Sequence, residues 1–311
     1  MALLIDVQAP DWMTDAALRD FLRSLLPGVD IRCAPDLGAA SEIDMLACVK
    51  LAPGLARTLP NLRLVQKLGA GVDAIVGDPD LAPQVRVARL RPDTPAQEIA
   101  EYCLAYVLRE QRNLRFHATS QGAGAWEPRP PRAAPETTVG LLGLGQIGGH
   151  AARAFAALGF RVLGWSRSPK DIACVDCRHG PAALAPLLGL CDYAISVLPA
   201  TAATRGLFDA GILAAMKPGA WLINVGRGDL IVEADLLAAL DGGRLAGAVL
   251  DVFRDEPLPR DHSFWSHPKI TITPHVSGWR LTGGLEDVAE NYRRLRDGRP
   301  LLHEIDRGAG Y

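Results

Sequence analysis

The 311-residue chain has no apolar run near the roughly 18 to 20 residues of a membrane-spanning helix. Its opening MALLIDVQAP carries neither a basic flank nor a small-residue cleavage site, so a soluble, cytoplasmic protein is expected rather than an exported or membrane-bound one. An excess of one charge is also lacking: 33 Lys plus Arg face 35 Asp plus Glu, a formal net charge of −2. That balance supplies no basic face for a nucleic acid or an anionic membrane. Aromatic residues are only 6% of the chain. The 6 cysteines, at 33, 48, 103, 174, 177 and 191, form no disulfide framework and read as buried, reduced thiols. Cys174 and Cys177 make a C-x-x-C, but no second pair at similar spacing accompanies them, so no zinc or thioredoxin-like site, and no metal, is expected.

What is present is 49% hydrophobic residues and 31 glycines, a mixture suited to helices packed closely on sheets. The length suggests two domains. Short apolar runs at 3–7, 45–49, 64–68 and 85–88 read as strands. Between the first two lies a helix at 15–26 whose Leu18, Phe21, Leu22, Leu25 and Leu26 share one face. Alternation of this kind predicts a parallel sheet covered by helices. A long helix at 95–112 follows, then a Gly- and Pro-rich linker at 121–135. A second α/β series has strands at 138–142, 161–165, 193–197, 221–225, 245–252 and 270–273, with helices at 147–158 and 233–240. A last helix at 285–296 is expected to pack back on the first domain.

Directly after the strand at 138–142, Gly143, Gly145 and Gly148 spell G-x-G-x-x-G and open an Ala-rich helix. Here the first glycine permits the turn, the second lets backbone approach a pyrophosphate, and the third lets helix pack on strand. The amides near Gln146 and Ile147 would then face the anion. A dinucleotide that is NAD calls for an acid roughly 20 residues on, at the end of the next strand. Trp165-Ser166-Arg167-Ser168 stands there instead. Arg167 can grip an extra phosphate and Ser166 or Ser168 can donate hydroxyls, so NADP(H) is favoured over NAD(H).

Three more strand ends are polar: Asn224-Val225-Gly226-Arg227-Gly228, the run from Asp251 through Glu256 to Pro259, and Thr273-Pro274-His275. Each supplies one group. Arg227 suits a substrate carboxylate, His275 can exchange a proton near neutral pH, and Glu256 can orient it. That combination fits hydride transfer coupled to proton transfer. Together with the dinucleotide loop, these strings resemble the D-isomer-specific 2-hydroxyacid dehydrogenases over nearly the whole chain. Trp165 to Ser168, Leu68-Gly69-Ala70-Gly71-Val72-Asp73 and the terminal residues 306–311 resemble the glyoxylate/hydroxypyruvate reductase branch.

The resemblance implies a fold of two doubly wound parallel-sheet α/β domains, a Rossmann cofactor domain and a flavodoxin-like substrate domain. The substrate domain would comprise 1–98 plus 281–311 and the cofactor domain 99–280, with a cleft that closes on ligand. It implies NADPH-dependent reduction of small 2-oxo acids to D-2-hydroxy acids, with Arg227, Glu256 and His275 catalytic and His275 the proton donor. Ala70 and Gly71 would receive the substrate carboxylate, Asp251 would approach the nicotinamide amide, and a homodimer would form largely through cofactor domains. Lys50, where the branch often has an aromatic residue, and Arg280 depart from the pattern; either could favour a substrate with a second acidic group. Two alternatives remain open at this point: NAD-dependent oxidation of another 2-hydroxy acid, and a non-catalytic nucleotide-sensing protein on the same fold.

Overall fold

The computed structural model describes residues 1–9, 12–91, 93–279 and 283–308. The chain divides into two compact units, Met1–Thr94 together with the described residues beyond 282, and Pro95–Trp279.

In the first unit β1 (Ala2–Asp6) leads to α1 (Asp15–Leu25), β2 (Asp30–Cys33), β3 (Ile43–Cys48), β4 (Leu64–Lys67), the single turn α2 (Asp73–Val76) and β5 (Arg86–Arg89). The strands are parallel in the order β2-β1-β3-β4-β5, the flavodoxin-like winding. Successive strand residues point to opposite faces, and two cores result. Leu3, Ile5 and Met45 pack with Leu18 and Leu22 of α1, while Leu4, Leu46, Val65 and Val87 pack with Ile75 of α2. The Thr14 hydroxyl accepts from Ala17 N at 3.2 Å and starts α1.

The second unit begins with α3 (Thr94–Gln111) and α4 (Leu114–Gly122). It continues through β6 (Thr138–Leu142), α5 (Gln146–Ala157), β7 (Arg161–Ser166), β8 (Asp176–His179), α6 (Leu184–Leu188), β9 (Tyr193–Ser196), α7 (Ala210–Ala215), β10 (Ala220–Asn224), α8 (Glu233–Asp241), β11 (Leu245–Leu250) and β12 (Ile270–Ile272). All pair in parallel in the order β12-β11-β10-β9-β6-β7-β8. This is the Rossmann order with one more strand at the β12 edge. One face of this sheet packs Val139, Leu141 and Ile195 against Cys103 and Val107 of α3 and Phe155 of α5. The other packs Leu142, Leu222 and Leu250 against α6, α7 and α8 through Leu187, Leu213 and Leu236. Helices on both faces bury the strands, and this makes them near-continuous apolar runs in the sequence.

The last helix, α9 (Glu286–Arg296), returns to the first unit through Val288, Tyr292 and Leu295. The fully buried Asn291 locks it there, donating to Gln66 Oε1 at 2.7 Å and accepting from Leu302 N at 2.7 Å. The short edge strands β2 and β8 have no counterpart in the reading above. Of β2 only Ile31 is buried, and no residue of β8 is, so neither makes an apolar run. The expectation of buried cysteines holds for Cys48, Cys103 and Cys191 only: Cys33 and Cys177 are half-buried because they lie on the edge strands β2 and β8, and Cys174 is exposed in the loop leading to β8. Burial pushes the Cys48 and Cys191 thiols up to about 12. Among the described residues no helix is long and apolar enough to cross a membrane, and no three His, Cys, Asp or Glu side chains gather as metal ligands.

Asp192, just before β9, ties the start of the second sheet together. It accepts from Thr138 N at 2.8 Å, Lys217 Nζ at 2.7 Å and Arg132 Nη1 at 2.7 Å. Burial alone would raise its carboxyl, but these three donors outweigh burial and hold it below its usual value. A depressed carboxylate stabilises the fold above about pH 4, and the contribution is lost as pH falls through the lowered value. Asp192→Asn should therefore cost about 1 to 3 kcal/mol at pH 7. Urea titrations in steps of decreasing pH should show that gap closing; a gap independent of pH would remove the charge from the account.

Candidate active site

In a parallel sheet every strand ends at the same edge, so the loops after β6, β7, β10, β11 and β12 gather there. The loop after β6 turns at Gly143, which has φ +102° and donates to Trp165 O at 2.8 Å. Gly145 precedes α5 without any side-chain cap. The first turn of α5, at Gln146, Ile147 and Gly148, carries the positive end of the helix dipole, which suits an anion. A Cβ at Gly148 would lie 1.7 Å from Gly143 O, so only glycine lets helix and loop approach this closely; at Gly145 a Cβ would meet nothing within 4 Å, leaving room above the amides.

Strand β7 ends at the buried Ser166, whose hydroxyl donates to Ser168 O at 2.7 Å. Its proton is thus used to shape the turn, which leaves Arg167 and Ser168 exposed at the strand end.

After β10, the fully buried Asn224 folds the chain back on itself. Its Oδ1 accepts from Gly226 N at 3.1 Å and its Nδ2 donates to Arg227 O at 2.8 Å. Arg227 is half-buried and donates through Nη1 to Gly226 O at 2.6 Å. Gly228 lies against the loop after β11 so closely that a Cβ would stand 1.9 Å from the Phe253 carbonyl carbon. Phe253 N in turn donates to Glu256 Oε1 at 2.9 Å. This contact brings the Arg227 and Glu256 loops together.

Glu256 Oε2 pairs with His275 Nδ1 at 2.8 Å. Burial pushes the Glu256 carboxyl up, but hydrogen bonds from His275 and the Phe253 amide, with the charges of His275 and Arg227, outweigh it and hold the group below its usual value. An ionised Glu256 accepts a proton-bearing Nδ1, which leaves Nε2 as the ring atom available for exchange. His275 itself sits at φ +56°, a conformation uncommon outside glycine and frequent at functional sites. The strain is held by the fully buried Asp251. Its carbonyl accepts from His275 N at 2.9 Å, its Oδ1 from Thr273 Oγ1 at 2.5 Å and Val276 N at 2.9 Å, and its Oδ2 from Ser277 N at 2.9 Å.

The geometry thus gathers Arg227, Glu256 and His275 at the sheet edge that also carries the glycine loop. The family described as D-isomer specific 2-hydroxyacid dehydrogenase, NAD binding domain, matches residues 104–277. The chain belongs to the D-isomer specific 2-hydroxyacid dehydrogenase family. It is 40% identical over 257 residues, 81% of this chain and 82% of the relative, to glyoxylate/hydroxypyruvate reductase A of Serratia proteamaculans. Among solved structures, a D-isomer specific 2-hydroxyacid dehydrogenase from Xanthobacter autotrophicus in complex with NADPH and MES is 38% identical. Its TM-score is 0.92 and the match covers 100% of this chain and 99% of that one. An NADPH-dependent glyoxylate/hydroxypyruvate reductase from Sinorhizobium meliloti, in complex with NADP and sulfate, is 32% identical with a TM-score of 0.87, covering 100% and 99%.

As a member of this dehydrogenase family the protein is an oxidoreductase. In the first unit, Ala70 and Gly71 lie in the loop between β4 and α2, where Ala70 O accepts from Arg89 Nη1 at 3.2 Å. Lys50 is exposed just beyond β3. Arg280 and the last residues of the terminal string lie outside the described residues. Nothing in the sequence alone assigns a role to Asn224 or Thr273. A fully buried polar side chain ending a strand, and a threonine beside Pro274-His275, were the available signals. Tyr102, whose hydroxyl lies 2.6 Å from Thr273 Oγ1, reads in the sequence only as one more aromatic on α3.

The two glycines separate packing from ligand space. Gly148→Ala should lower stability by about 3 kcal/mol, because backbone rather than a flexible side chain must move. Gly145→Ala, at φ −76° and in open space, should leave it within about 1 kcal/mol. Urea midpoints measure both, and an equal loss in the two variants would contradict this assignment.

Proposed function

We propose that the protein reduces small 2-oxo acids of the glyoxylate and hydroxypyruvate type to D-2-hydroxy acids with NADPH. The observation that carries the reading is the Nδ1–Oε2 pair of His275 and Glu256 at 2.8 Å, with Arg227 beside it, on the edge that bears the glycine loop. The residues present suit the dinucleotide. Gly145 leaves room for a pyrophosphate at the positive end of α5, and β7 is followed by Arg167 and Ser168, with no carboxylate to repel a 2′-phosphate. Each carboxylate oxygen has about two acceptor sites. Asp251 uses three of them, on the Thr273 hydroxyl and the amides of Val276 and Ser277, and so fixes the strand end that would face the nicotinamide.

When bound, the reduced dinucleotide supplies the hydride. Arg227 binds the carboxylate of the 2-oxo acid and polarises the neighbouring carbonyl. His275 gives a proton from Nε2 to the carbonyl oxygen as the alkoxide forms. Glu256 holds the ring by Nδ1, so the imidazolium is already oriented when the proton moves. The first unit acts as the substrate domain and the second as the cofactor domain.

In this proposal the enzyme is cytoplasmic and a homodimer. Its second unit carries Trp126, 97% exposed, with Leu114 at 54% on α4 and a run of prolines at 128, 130 and 131. An aromatic left bare on a rigid segment suits a contact between copies.

A reductase assay with glyoxylate and hydroxypyruvate, each with NADPH and NADH, is the direct test. His275→Ala should lower kcat by about 10²-fold or more, with NADPH affinity nearly intact; unchanged turnover would remove His275 from the mechanism. Arg167→Ala should weaken NADPH by about tenfold and leave NADH alone; equal weakening of both would make Arg167 a plain surface charge. Sedimentation velocity of Trp126→Asp should show monomer where the parent shows dimer, and a dimer in both would move the contact elsewhere.

A further inference from the structure

The Asp251 clamp on the His275 loop depends on how its donors are oriented. One of its donors, the Thr273 hydroxyl, rotates freely unless something fixes it. Thr273 has a single hydroxyl proton, and the 2.5 Å contact with a carboxylate oxygen commits that proton to Asp251. Its oxygen is then left to accept. The atom placed to donate is the hydroxyl of Tyr102, 2.6 Å away on α3. The proton order is therefore set: Tyr102 O–H to Thr273 Oγ1, Thr273 O–H to Asp251 Oδ1. Burial pushes the Tyr102 phenol well above its usual range, so it remains a donor at working pH.

The rest of α3 fits the same purpose. Tyr102 packs against Tyr106 with the rings tilted and their centroids 4.7 Å apart, and Arg109 lies over the Tyr106 ring and donates to Thr271 Oγ1 at 3.0 Å. The helix thus holds β12 at its middle residue, Thr271, and the chain just beyond it at Thr273. Beyond His275, the backbone at Gly278 lies so close to Ile99 that a Cβ would stand 3.0 Å from that side chain. The loop bearing His275 is supported on one side by Asp251 and along its length by α3.

We infer that Tyr102 is a positioning residue for His275: acting through Thr273, it orders the Asp251 clamp that keeps the histidine in its left-handed backbone conformation. The inference rests on the reading of His275 as the proton donor only for its kinetic consequence. Chains of this type strengthen one another, since the carboxylate polarises Thr273 and Thr273 polarises the phenol.

Tyr102→Phe keeps the ring and its contact with Tyr106 and removes the donor. It should lower kcat about tenfold, the equivalent of one hydrogen bond in a charge-assisted chain, with KM for NADPH within about twofold. Thr273→Val should lower kcat at least as much, Thr273→Ser should restore it, and the double variant Tyr102→Phe/Thr273→Val should be no worse than Thr273→Val alone. Hydrogen exchange on the ligand-free protein gives a reading independent of any reaction: amides in 275–277 should exchange about tenfold faster in Tyr102→Phe than in the parent. Unchanged exchange, a kcat within twofold of the parent, or losses that multiply in the double variant would each overturn the role of Tyr102. A parent without reductase activity would overturn the proposed reaction instead, while the exchange comparison would still decide on Tyr102.

Discussion

A carboxylate buried to zero exposure must find donors for its lone pairs or lose its charge, and Asp251 meets that demand with Thr273 and the amides of Val276 and Ser277. The demand shapes the site. Two successive amides can reach one carboxylate only if the chain turns sharply before them, and the turn is made at His275 with φ +56°. A left-handed residue other than glycine costs of order 1 to 3 kcal/mol. The charge-assisted bonds to Asp251, each worth about 1.5 to 3 kcal/mol, are enough to hold it. Strain and clamp therefore belong to one arrangement, in which the position of the imidazole is decided before any substrate arrives.

The pair that His275 makes with Glu256 works differently. With side chains 49% and 34% exposed, it contributes little to stability, since ion pairs of this kind are worth about 0 to 1 kcal/mol. Its value lies in direction. Glu256 is itself fixed by Phe253 N, and its net fall below the usual carboxyl value keeps it an acceptor throughout the neutral range. The ring is left with one engaged nitrogen and one free to exchange a proton. The near-zero net charge of the chain conceals this local order, because Arg167 and Arg227 stand at strand ends where the whole-chain sum cannot register them.

How much of this can be read from sequence follows from burial. Strands covered on both faces are continuous apolar runs, so β6, β9, β10 and β11 are visible to within a residue or two. The reading carries β11 on to 252, past its end at Leu250, because nothing in Leu250-Asp251-Val252 shows that the aspartate leaves the sheet to clamp a distant loop. Edge strands β2 and β8, with few buried positions, leave no pattern. The glycine string, Arg227, Glu256 and His275 are visible because their chemistry is unusual at a strand end. Tyr102 is not, since its partner Thr273 lies 171 positions away and only the fold makes them neighbours.

The two units share a winding rule but treat the first helix of each sheet in opposite ways. Helix α1 begins with a side-chain cap at Thr14 and has Asp15 in its first turn, where the carboxylate accepts from Val7 N at 2.8 Å. The positive end of that helix is already answered by the protein's own anion. Helix α5 begins at a bare glycine, with no cap and no acid in its first turn. Its dipole suits an anion from outside, and the backbone contact that excludes a side chain at Gly148 holds the helix start at the sheet. Parallel winding alone would allow a dinucleotide on either sheet. What assigns it to the second is the chemistry of one helical turn: where a carboxylate of the chain already occupies the N-terminus a phosphate is repelled, and where only glycine stands it is welcomed.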